Sequence, residues 1–456
     1  MANQKSTMFS RREFAGAAAA SAFSFTIVPR HVLGGAGQTA PSEQVRIGGI
    51  GAGGQGGGDI NAMAANGARV VALCDVDFAR AAGNFKRHSK ATVYKDFRKL
   101  LDKEEKNIDA VVVGTPDHIH APASLDSIRR GKHVYCEKPL THTIFEARQL
   151  TLAAEKHKVA TQMGNQGHAT EGARLTNEWI QAGVIGDVAE VHVWTDRPGK
   201  YWKQGLPRPS DTPAIPSTLD WDLWLGPAPE RPYHSAYVPR FWRGWWDFGT
   251  GAMGDMGCHI VDHPVWALKL GYPTAVEAVI TADGSVIDKK PNRETYPIAG
   301  VIYYEFPARG NMPPVKMTWY EGGLMPPTPA EIPVGQQLPK NGVLYVGSKG
   351  KMFHGSHGGM PQLLPGELID EAKTVKKTMA RSPGHHSEWL LACKGQGTAV
   401  SNFGYSGPMT ETVLLGVLAQ RAPGQRLEWD GKNMKVLNAP ELNQHVHKEY
   451  RKGWVL

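Results

Sequence analysis

Three glycines near the start of the chain have the spacing of a phosphate-binding turn. Gly51, Gly53 and Gly56 form the pattern G-x-G-x-x-G, with Gln55 inside it, directly after the apolar run 45–50. The first glycine permits a tight turn, the second lets the backbone approach a pyrophosphate, and the third lets a helix pack on the strand. Free N–H groups at the start of that helix would stabilise the charge of the phosphates. The motif therefore predicts a dinucleotide site that includes Gly51, Gly53, Gln55 and Gly56.

An acidic residue further along distinguishes two dinucleotides. The apolar run 69–74 ends at Asp75, 19 residues after Gly56. A carboxylate at this position accepts hydrogen bonds from the adenine ribose hydroxyls and repels a 2′-phosphate. Asp75 therefore predicts NAD as the cofactor, and NADP is the less favoured alternative that the neighbouring Asp77 and Arg80 leave open.

A second set of residues has the spacing of metal ligands. Asp255, His259 and His263 recur every four residues, so on a continuous helix they would share one face. Three such ligands could hold zinc with one open position. Pro264, however, predicts that a helix begins or bends at this point, which would separate His263 from the other two. We therefore predict no metal.

The elements that must position these residues divide the chain. Over residues 41–164, buried apolar runs alternate with helical segments, which predicts an α/β unit, a doubly wound, mostly parallel Rossmann sheet. Residues 165–456 contain several strand-like runs in succession and predict an α+β domain with a large open, mostly antiparallel sheet. Residues 1–40 are assigned to a signal and linker.

Aromatic residues are concentrated in an insertion of the second domain, residues 197–246. Seven of the 13 tryptophans lie between positions 194 and 246, in a proline-rich and irregular stretch. Flat aromatic faces suit the C–H faces of pyranose rings, and their N–H and O–H groups suit hydroxyls. We expect most of these rings to anchor a long loop to the sheet, and two or three, Trp245 among them, to contact a sugar.

The ordered set of motifs resembles one enzyme family. After the glycine turn come Thr115-Pro116-x-x-x-His120 and then the tripeptide Glu137-Lys138-Pro139. The set is similar to that of the Gfo/Idh/MocA family, the glucose–fructose oxidoreductase and inositol dehydrogenase superfamily, over nearly all of the chain after residue 40. In that family the Lys-Pro peptide is often cis. The resemblance implies five cofactor-binding residues in these motifs: Thr115, Pro116, His120, Glu137 and Lys138.

The same resemblance assigns the chemistry. In the family, the lysine of the tripeptide reaches the nicotinamide and the substrate hydroxyl, and a D-x-x-x-H pair downstream supplies an acid or base. The matching positions here are Lys138, Asp255 and His259, which we predict to be catalytic. Either Lys138 or His259 can take the hydroxyl proton, and Asp255 would orient the imidazole or bind a sugar hydroxyl.

Four further residues are predicted to contact the substrate. The segment 164–168 joins the two domains, and clefts between domains are preferred ligand sites. The predicted substrate contacts are Asn165, His168, His263 and Trp245.

The resemblance implies an oxidoreductase that transfers hydride between a secondary hydroxyl of a sugar or glycoside and a tightly bound NAD. An alternative is an NAD-dependent glycosidase or lyase-type enzyme, which acts by transient oxidation, elimination, hydration and re-reduction. A third class, a binding module without catalysis, is disfavoured because Lys138, Asp255 and His259 are all present.

The first residues have the pattern of an export signal. Arg11 and Arg12 precede an alanine-rich, mildly apolar run over residues 15–28. This run is shorter than the ~20 residues that span a bilayer. The pattern predicts export of the folded protein to the periplasm by the twin-arginine pathway; the alternative is an amphipathic helix at the domain edge. An enzyme exported in this way would have to carry its NAD with it.

Charge and hydropathy limit the partners. The formal net charge is +8 over 456 residues, without a block of like charges or a basic stripe, so nucleic acid is not expected as a partner. No segment beyond residues 15–28 is long and apolar enough to span a membrane. The expected partners are a carbohydrate substrate and, from the resemblance, further copies of the chain in a dimer or tetramer.

Overall fold

The computed structural model describes residues 43–281 and 292–456. The export signal predicted at residues 1–40 lies outside the described residues. No helix in the two described ranges is long and apolar enough to cross a bilayer.

Six strands from the first part of the chain form one parallel sheet. Alternate residues of the strand Ala110–Val113 belong to two different apolar clusters, so both faces of the sheet are buried and the strand is apolar throughout. The order is β3-β2-β1-β4-β5-β6, and every neighbouring pair is parallel. The strands are β1 (Arg46–Ile50), β2 (Arg69–Cys74), β3 (Thr92–Tyr94), β4 (Ala110–Val113), β5 (His133–Cys136) and β6 (Thr161–Met163).

Each connection between these strands contains a helix, as parallel pairing requires. The last of the five begins with a capping box, in which Thr143 and Glu146 satisfy each other's backbone N–H groups. The five helices are α1 (Gly54–Ala65), α2 (Phe78–Arg87), α3 (Phe97–Glu104), α4 (Asp117–Arg129) and α5 (Ile144–His157).

The strand order reverses beside β1, which lies between β2 and β4. Connections that leave neighbouring strands in opposite directions open a crevice at such a point. Gly51, at φ +85°, makes the turn after β1 at this crevice. Gly56 packs against the backbone of Gly51 and Gly114, which lets α1 approach the sheet closely.

Nine strands form the second sheet, in the order β13-β12-β11-β7-β10-β9-β8-β14-β15. Only the β7–β10 pair is parallel among the described strands of this sheet. The predicted fold class, a Rossmann sheet followed by a mostly antiparallel sheet, is confirmed. The strands are β7 (Val188–Trp194), β8 (Ala275–Ile280), β9 (Gly300–Phe306), β10 (Val315–Glu321), β11 (Gly342–Gly347), β12 (Lys351–Gly355), β13 (Gln362–Leu364), β14 (Leu427–Asp430) and β15 (Lys435–Val436).

Further helices accompany this sheet. One of them, Gly251–Ile260, is buried along its whole length and packs on Phe403–Ala419, where Gly257 faces Val413 without space for a larger side chain. The helices are α6 (Glu171–Gln181), α7 (Trp221–Leu225), α8 (Gly251–Ile260), α9 (Asp262–Ala267), α10 (Leu368–Thr374), α11 (His385–Cys393) and α12 (Phe403–Ala419). Short 3₁₀ helices lie at Gln166–Ala169, Phe241–Gly244 and Pro440–His445.

The aromatic insertion forms a small core of its own between β7 and α8. Trp221 and Trp224 stack with ring centroids 4.7 Å apart, and Tyr237 and Phe248 pack against them. This cluster also reaches the first sheet, because Leu219 pairs with Asp77 in an antiparallel bridge beyond β2. Most rings of the insertion therefore anchor it, as the sequence predicts.

The contact of Gly56 gives a stability test. A Cβ at Gly56 would lie 2.2 Å from the carbonyl oxygen of Gly51 and 2.8 Å from the Cα of Gly114. Gly56→Ala should lower the free energy of unfolding by about 1–3 kcal/mol, the usual cost of overpacking, as measured by urea unfolding. The control is Gly83→Ala in α2, where the added carbon would have no described atom within 4 Å apart from the backbone of its own helix and its chain neighbours. It should raise stability by about 1 kcal/mol, and equal effects of both variants would contradict the proposed packing.

Candidate active site

A cleft of about 720 Å³ lies where the crevice beside β1 meets α8 and the insertion. One end is formed by the glycine turn and the end of β2. The other end contains Lys138, Asp255 and His259, the three predicted catalytic residues. The predicted cofactor residues that line the cleft are Gly51, Gly53, Gln55, Asp75, Thr115, Pro116, Glu137 and Lys138.

The glycine end fits a dinucleotide. No side chain caps the N-terminus of α1, so its free N–H groups are available to phosphate. A Cβ at Gly51 would lie 2.7 Å from the backbone of Gly114, so the turn keeps space that any other residue would fill. Asp75 accepts hydrogen bonds from the main-chain N–H groups of Gly53 and Asp77, both at 2.9 Å. Burial raises the pKa of Asp75, although these two N–H groups oppose the shift.

Two predicted cofactor residues do not line the cleft. Gly56 lies behind the turn, where it packs on Gly114, the role that the motif gives to its third glycine. The His120 ring is 1% exposed, and its nitrogens contact the carbonyl oxygens of Pro139 and Thr115, each at 2.8 Å. His120 therefore holds together two segments that line the cleft and makes no direct contact with it. The Lys138–Pro139 peptide is cis, as the resemblance implies.

An ion cluster forms the opposite end of the cleft. Lys138 Nζ donates to Asp255 Oδ1 and to the main-chain oxygen of Asp255, both at 2.8 Å. Arg243 Nε donates to the same Oδ1 at 2.9 Å. Burial by itself would raise the pKa of Asp255, but the charges of Lys138 and Arg243 outweigh it and hold this pKa below its ordinary value. The carboxylate is therefore ionised at neutral pH and fixes both cations.

His259 lies beside this cluster as a neutral ring. It is 5% exposed, and its Nδ1 has no hydrogen-bond partner within the described part of the chain. Burial, and then the charge of Lys138, lowers the pKa of His259 well below its ordinary value. Because Nδ1 is itself buried, a ligand in the cleft would exchange a proton with the other ring nitrogen, Nε2.

His357 packs on His259 with ring centroids 4.0 Å apart. Its backbone has φ +59°, the left-handed region that non-glycine residues seldom adopt, and its N–H donates to the carbonyl oxygen of His259 at 3.3 Å. Burial, followed by the charge of Lys138, also lowers the pKa of His357. The sequence gives no sign of this contact, because the two residues lie in separate segments.

Two carboxyl groups meet at the middle of the cleft. Asp59 Oδ1 accepts from Gln55 at 3.1 Å, and Glu137 Oε1 accepts from Gln166 at 3.2 Å. Burial raises the pKa of Asp59 to about 7, and burial together with the charge of Asp59 raises that of Glu137 well above its ordinary value. The pair therefore carries fewer than two negative charges at neutral pH, which limits its repulsion of a bound dinucleotide.

The segment 164–168 places two predicted substrate residues away from the cleft. Asn165 is fully buried, and its Oδ1 accepts from Ser401 at 2.6 Å. His168 Nδ1 lies 3.0 Å from Asp262, and its ring stacks on Trp266. These side chains join the segment to the second domain and do not line the cleft, unlike the prediction from the sequence. It is Gln166, between them, that reaches the cleft.

His263 and Trp245 are also buried away from the cleft. The interruption predicted from Pro264 is present: α8 ends at Ile260, and α9 begins at Asp262. His263 therefore points toward His354, with ring centroids 5.0 Å apart. Trp245 is 1% exposed and donates to Ala236, within the core of the insertion. In the described ranges, no group of three or more His, Cys, Asp or Glu side chains is arranged to hold a metal ion.

Several cleft residues were not predicted from the sequence. The insertion supplies cations and rings at the end that contains His259, and the C-terminal segment supplies a ring near the end of β2. These residues are Arg197, Trp224, Trp242, Arg243, His357, His386 and Trp454. The enrichment in tryptophan pointed to the insertion, but nothing in its irregular sequence indicates which side chains face inward.

Two family models match the chain in succession. Residues 45–165 match the NAD-binding Rossmann fold of the oxidoreductase family GFO_IDH_MocA, and residues 173–288 match the C-terminal α/β domain of that family. The match confirms the predicted cofactor class, NAD.

Curated relatives match about a third of the chain. Inositol 2-dehydrogenase from Rubrobacter xylanophilus is 33% identical over 156 residues, which are 34% of this chain and 44% of the relative. Glycosyl hydrolase family 109 protein 1 from Shewanella sp. (strain ANA-3) is 32% identical over 157 residues, 32% of this chain and 34% of the relative. The chain thus spans less than half the length of these relatives.

A solved structure has the same fold. WlbA dehydrogenase from Bordetella pertussis, in complex with NADH and UDP-GlcNAcA, superposes with a TM-score of 0.59 at 18% sequence identity. The match covers 85% of this chain and 98% of that one. At this identity the likeness concerns the fold alone.

A buried carboxyl beneath the ion cluster gives a test by pH. Asp117 Oδ2 accepts from Thr250 at 2.7 Å, and burial raises its pKa to about 7. The folded protein holds this proton more tightly than the unfolded chain does. The protonated carboxyl therefore stabilises the folded state fully below about pH 4, and this contribution is lost as the pH rises toward about 7. An asparagine cannot ionise, so the free energy of unfolding of Asp117→Asn should not show this decrease with pH, which is on the order of 3 kcal/mol in the wild type.

Urea unfolding of Asp117→Asn and of the wild-type protein at about pH 4.5 and about pH 8 measures this difference. The variant should gain stability relative to the wild type as the pH rises. Parallel pH profiles would contradict the raised pKa of Asp117.

Proposed function

Because the chain belongs to the Gfo/Idh/MocA family of oxidoreductases, we propose that it transfers hydride between a secondary hydroxyl of a sugar or glycoside and a bound NAD. One observation carries this proposal: Lys138, Asp255 and His259 lie in the same cleft as the dinucleotide turn. NAD, when bound, would supply the hydride acceptor.

The residues of the glycine end would hold the cofactor. The free N–H groups of α1 would bind the pyrophosphate, and Asp75 would face the ribose hydroxyls. Lys138 follows β5 directly and joins the cofactor end of the cleft to the ion cluster. A substrate hydroxyl beside Lys138 would therefore also lie near His259.

In this proposal His259 takes the hydroxyl proton and Lys138 polarises the hydroxyl oxygen. Lys138 Nζ donates to Oδ1 and to the main-chain oxygen of Asp255, and a lysine ammonium has a third hydrogen to give. His259 is neutral and lines the cleft, and because its Nδ1 is buried, its Nε2 would take the proton. Asp255 holds Lys138 in place. Its negative charge also stabilises the positive charge that forms on His259 when the ring takes the proton.

A redox-neutral glycosidase is the second candidate. The similarity to a glycosyl hydrolase family 109 protein favours it, over 157 residues at 32% identity. The same residues would serve both reactions, because a transient oxidation also needs an acceptor for the hydroxyl proton and a donor to the carbonyl oxygen. The two candidates differ in whether hydride stays on the cofactor or returns to the sugar.

We further propose that the protein works in the periplasm as a dimer or tetramer. Arg11 and Arg12 ahead of the alanine-rich run support export by the twin-arginine pathway. The oligomer rests on the family resemblance.

Product analysis should separate the two reactions. We expect the holoenzyme, incubated with a panel of sugars and glycosides, to yield products about 2 Da lighter than the substrate, because two hydrogens leave in the oxidation. Mass spectrometry measures this change. Release of a free monosaccharide without net oxidation would replace the first candidate with the glycosidase.

Substitution of the cleft residues should separate chemistry from structure. His259→Ala should lower kcat by about 10²–10⁴-fold, the usual contribution of one positioned proton-transfer group. Asp255→Asn should cause a smaller loss, since it keeps the shape but weakens the hold on Lys138. Lys138→Ala should abolish turnover and keep the cofactor, because the glycine turn is intact.

The control for these variants is His263→Ala, which removes a buried imidazole outside the cleft. It should lower the melting temperature more than kcat. If His259→Ala instead lost stability in proportion to activity, His259 would be structural, and full activity of Lys138→Ala would refute the role of Lys138.

A further inference from the structure

The end of the cleft that contains His259 has more positive than negative charge. Lys138, Arg197 and Arg243 line it together with the carboxylate of Asp255, whereas Asp59 and Glu137, whose pKa values are raised by burial, line the middle of the cleft. Asp196 pairs with Arg197 from outside the cleft. The side chains at this end therefore sum to about one positive charge at neutral pH with both histidines neutral.

Both arginines keep donors free for a ligand. Arg197 uses one nitrogen, Nη1, on Asp196, and Arg243 uses Nε on Asp255 and Nη1 on the carbonyl oxygen of Arg240. The Nη2 group of each, and Nε of Arg197, have no partner in the part of the chain that the structure describes. A guanidinium edge of this kind matches the geometry of a carboxylate or a sulfate.

Aromatic rings hold the two guanidinium groups in place. Arg197 lies 3.4 Å above the ring of Tyr201, and Arg243 lies 4.2 Å above that of Trp242. Stacking covers the face of a guanidinium and leaves its edge for hydrogen bonds. The groups are thus oriented before a ligand binds.

Arg197 belongs to the reactive end of the cleft. It lines the same cleft as His357 and His259, and His357 stacks on His259. A ligand in this cleft could therefore contact Lys138, Arg197 and the His259–His357 pair.

We propose that the substrate of this site is an anionic sugar, in which a carboxylate or sulfate group is bound by Arg197, with Arg243 beside it. This inference rests on the proposed function, which makes the substrate a sugar, and adds that the sugar is negatively charged. Arg197 is a specificity-determining residue in this account. It has no contact with Asp255, so its removal leaves the ion cluster intact.

The test compares matched sugars with the NAD-loaded protein. Methyl glucoside, methyl glucuronide and methyl glucoside 6-sulfate, with their galacto counterparts, are titrated by calorimetry and assayed for turnover. At least one anionic sugar should bind about 10- to 100-fold more tightly than its neutral partner, the range of one charge-assisted hydrogen-bond pair. Added salt should reduce this preference. The carboxylate and sulfate arms show which oxyanion fits.

Arg197→Gln should lower the affinity for the anionic sugar far more than that for the neutral sugar and so remove the preference, and Arg197→Lys should restore part of it. Arg87→Gln, at an exposed position of α2, is the matched control and should behave as wild type. Equal affinity for charged and neutral sugars, or an equal loss for both in Arg197→Gln, would overturn the inference.

The two proposals fail in different ways. Oxidation of neutral sugars without an anionic preference would refute the charge inference and keep the proposed function. Binding of an anionic sugar that depends on Arg197, without any hydride transfer, would support the charge inference and refute the function.

Discussion

The buried carboxylate of Asp255, held between Lys138 and Arg243, is the interaction on which the rest of the site depends. It joins three segments that are far apart in sequence: the end of β5, the insertion and helix α8. Breaking a buried ion pair by removing one partner typically costs about 3–5 kcal/mol, because the remaining charge loses its compensation. The cluster therefore fixes the distance between the parallel sheet, which would hold the cofactor, and the helix that presents His259.

The same charges set the state of the neighbouring groups. Lys138 lowers the pKa of both His259 and His357, after the larger effect of burial, so two rings that would otherwise titrate near neutrality stay uncharged. Two neutral rings can stack at 4.0 Å, whereas two imidazolium ions would repel. In the proposed function, the cations around Asp255 thus leave His259 neutral as a proton acceptor beside the donor Lys138. They also leave positive charge that an anionic substituent of the sugar would bind.

The accuracy of the sequence predictions follows from how local each signal is. The glycine turn, Asp75 and the Glu-Lys-Pro tripeptide are short contiguous motifs on regular strands, so their positions follow once the Rossmann order is recognised. Asn165 and His168 lie in the predicted segment but face away from the cleft, because residues three apart share one side of a 3₁₀ turn and Gln166 lies on another. Arg197, Arg243 and His357 lie in irregular segments whose contacts depend on tertiary packing, and no periodicity indicates them.

The most direct test of the central claim is a hydride-transfer measurement on the holoenzyme. A sugar carrying deuterium on the carbon of the oxidised hydroxyl is mixed with the NAD-loaded protein, and the released cofactor is analysed by mass spectrometry after rapid quenching. The account predicts that deuterium appears on the nicotinamide in the wild-type protein and not in Lys138→Ala with NAD still bound. Deuterium that stays on the sugar, or is lost to water without passing to the nicotinamide, would contradict it.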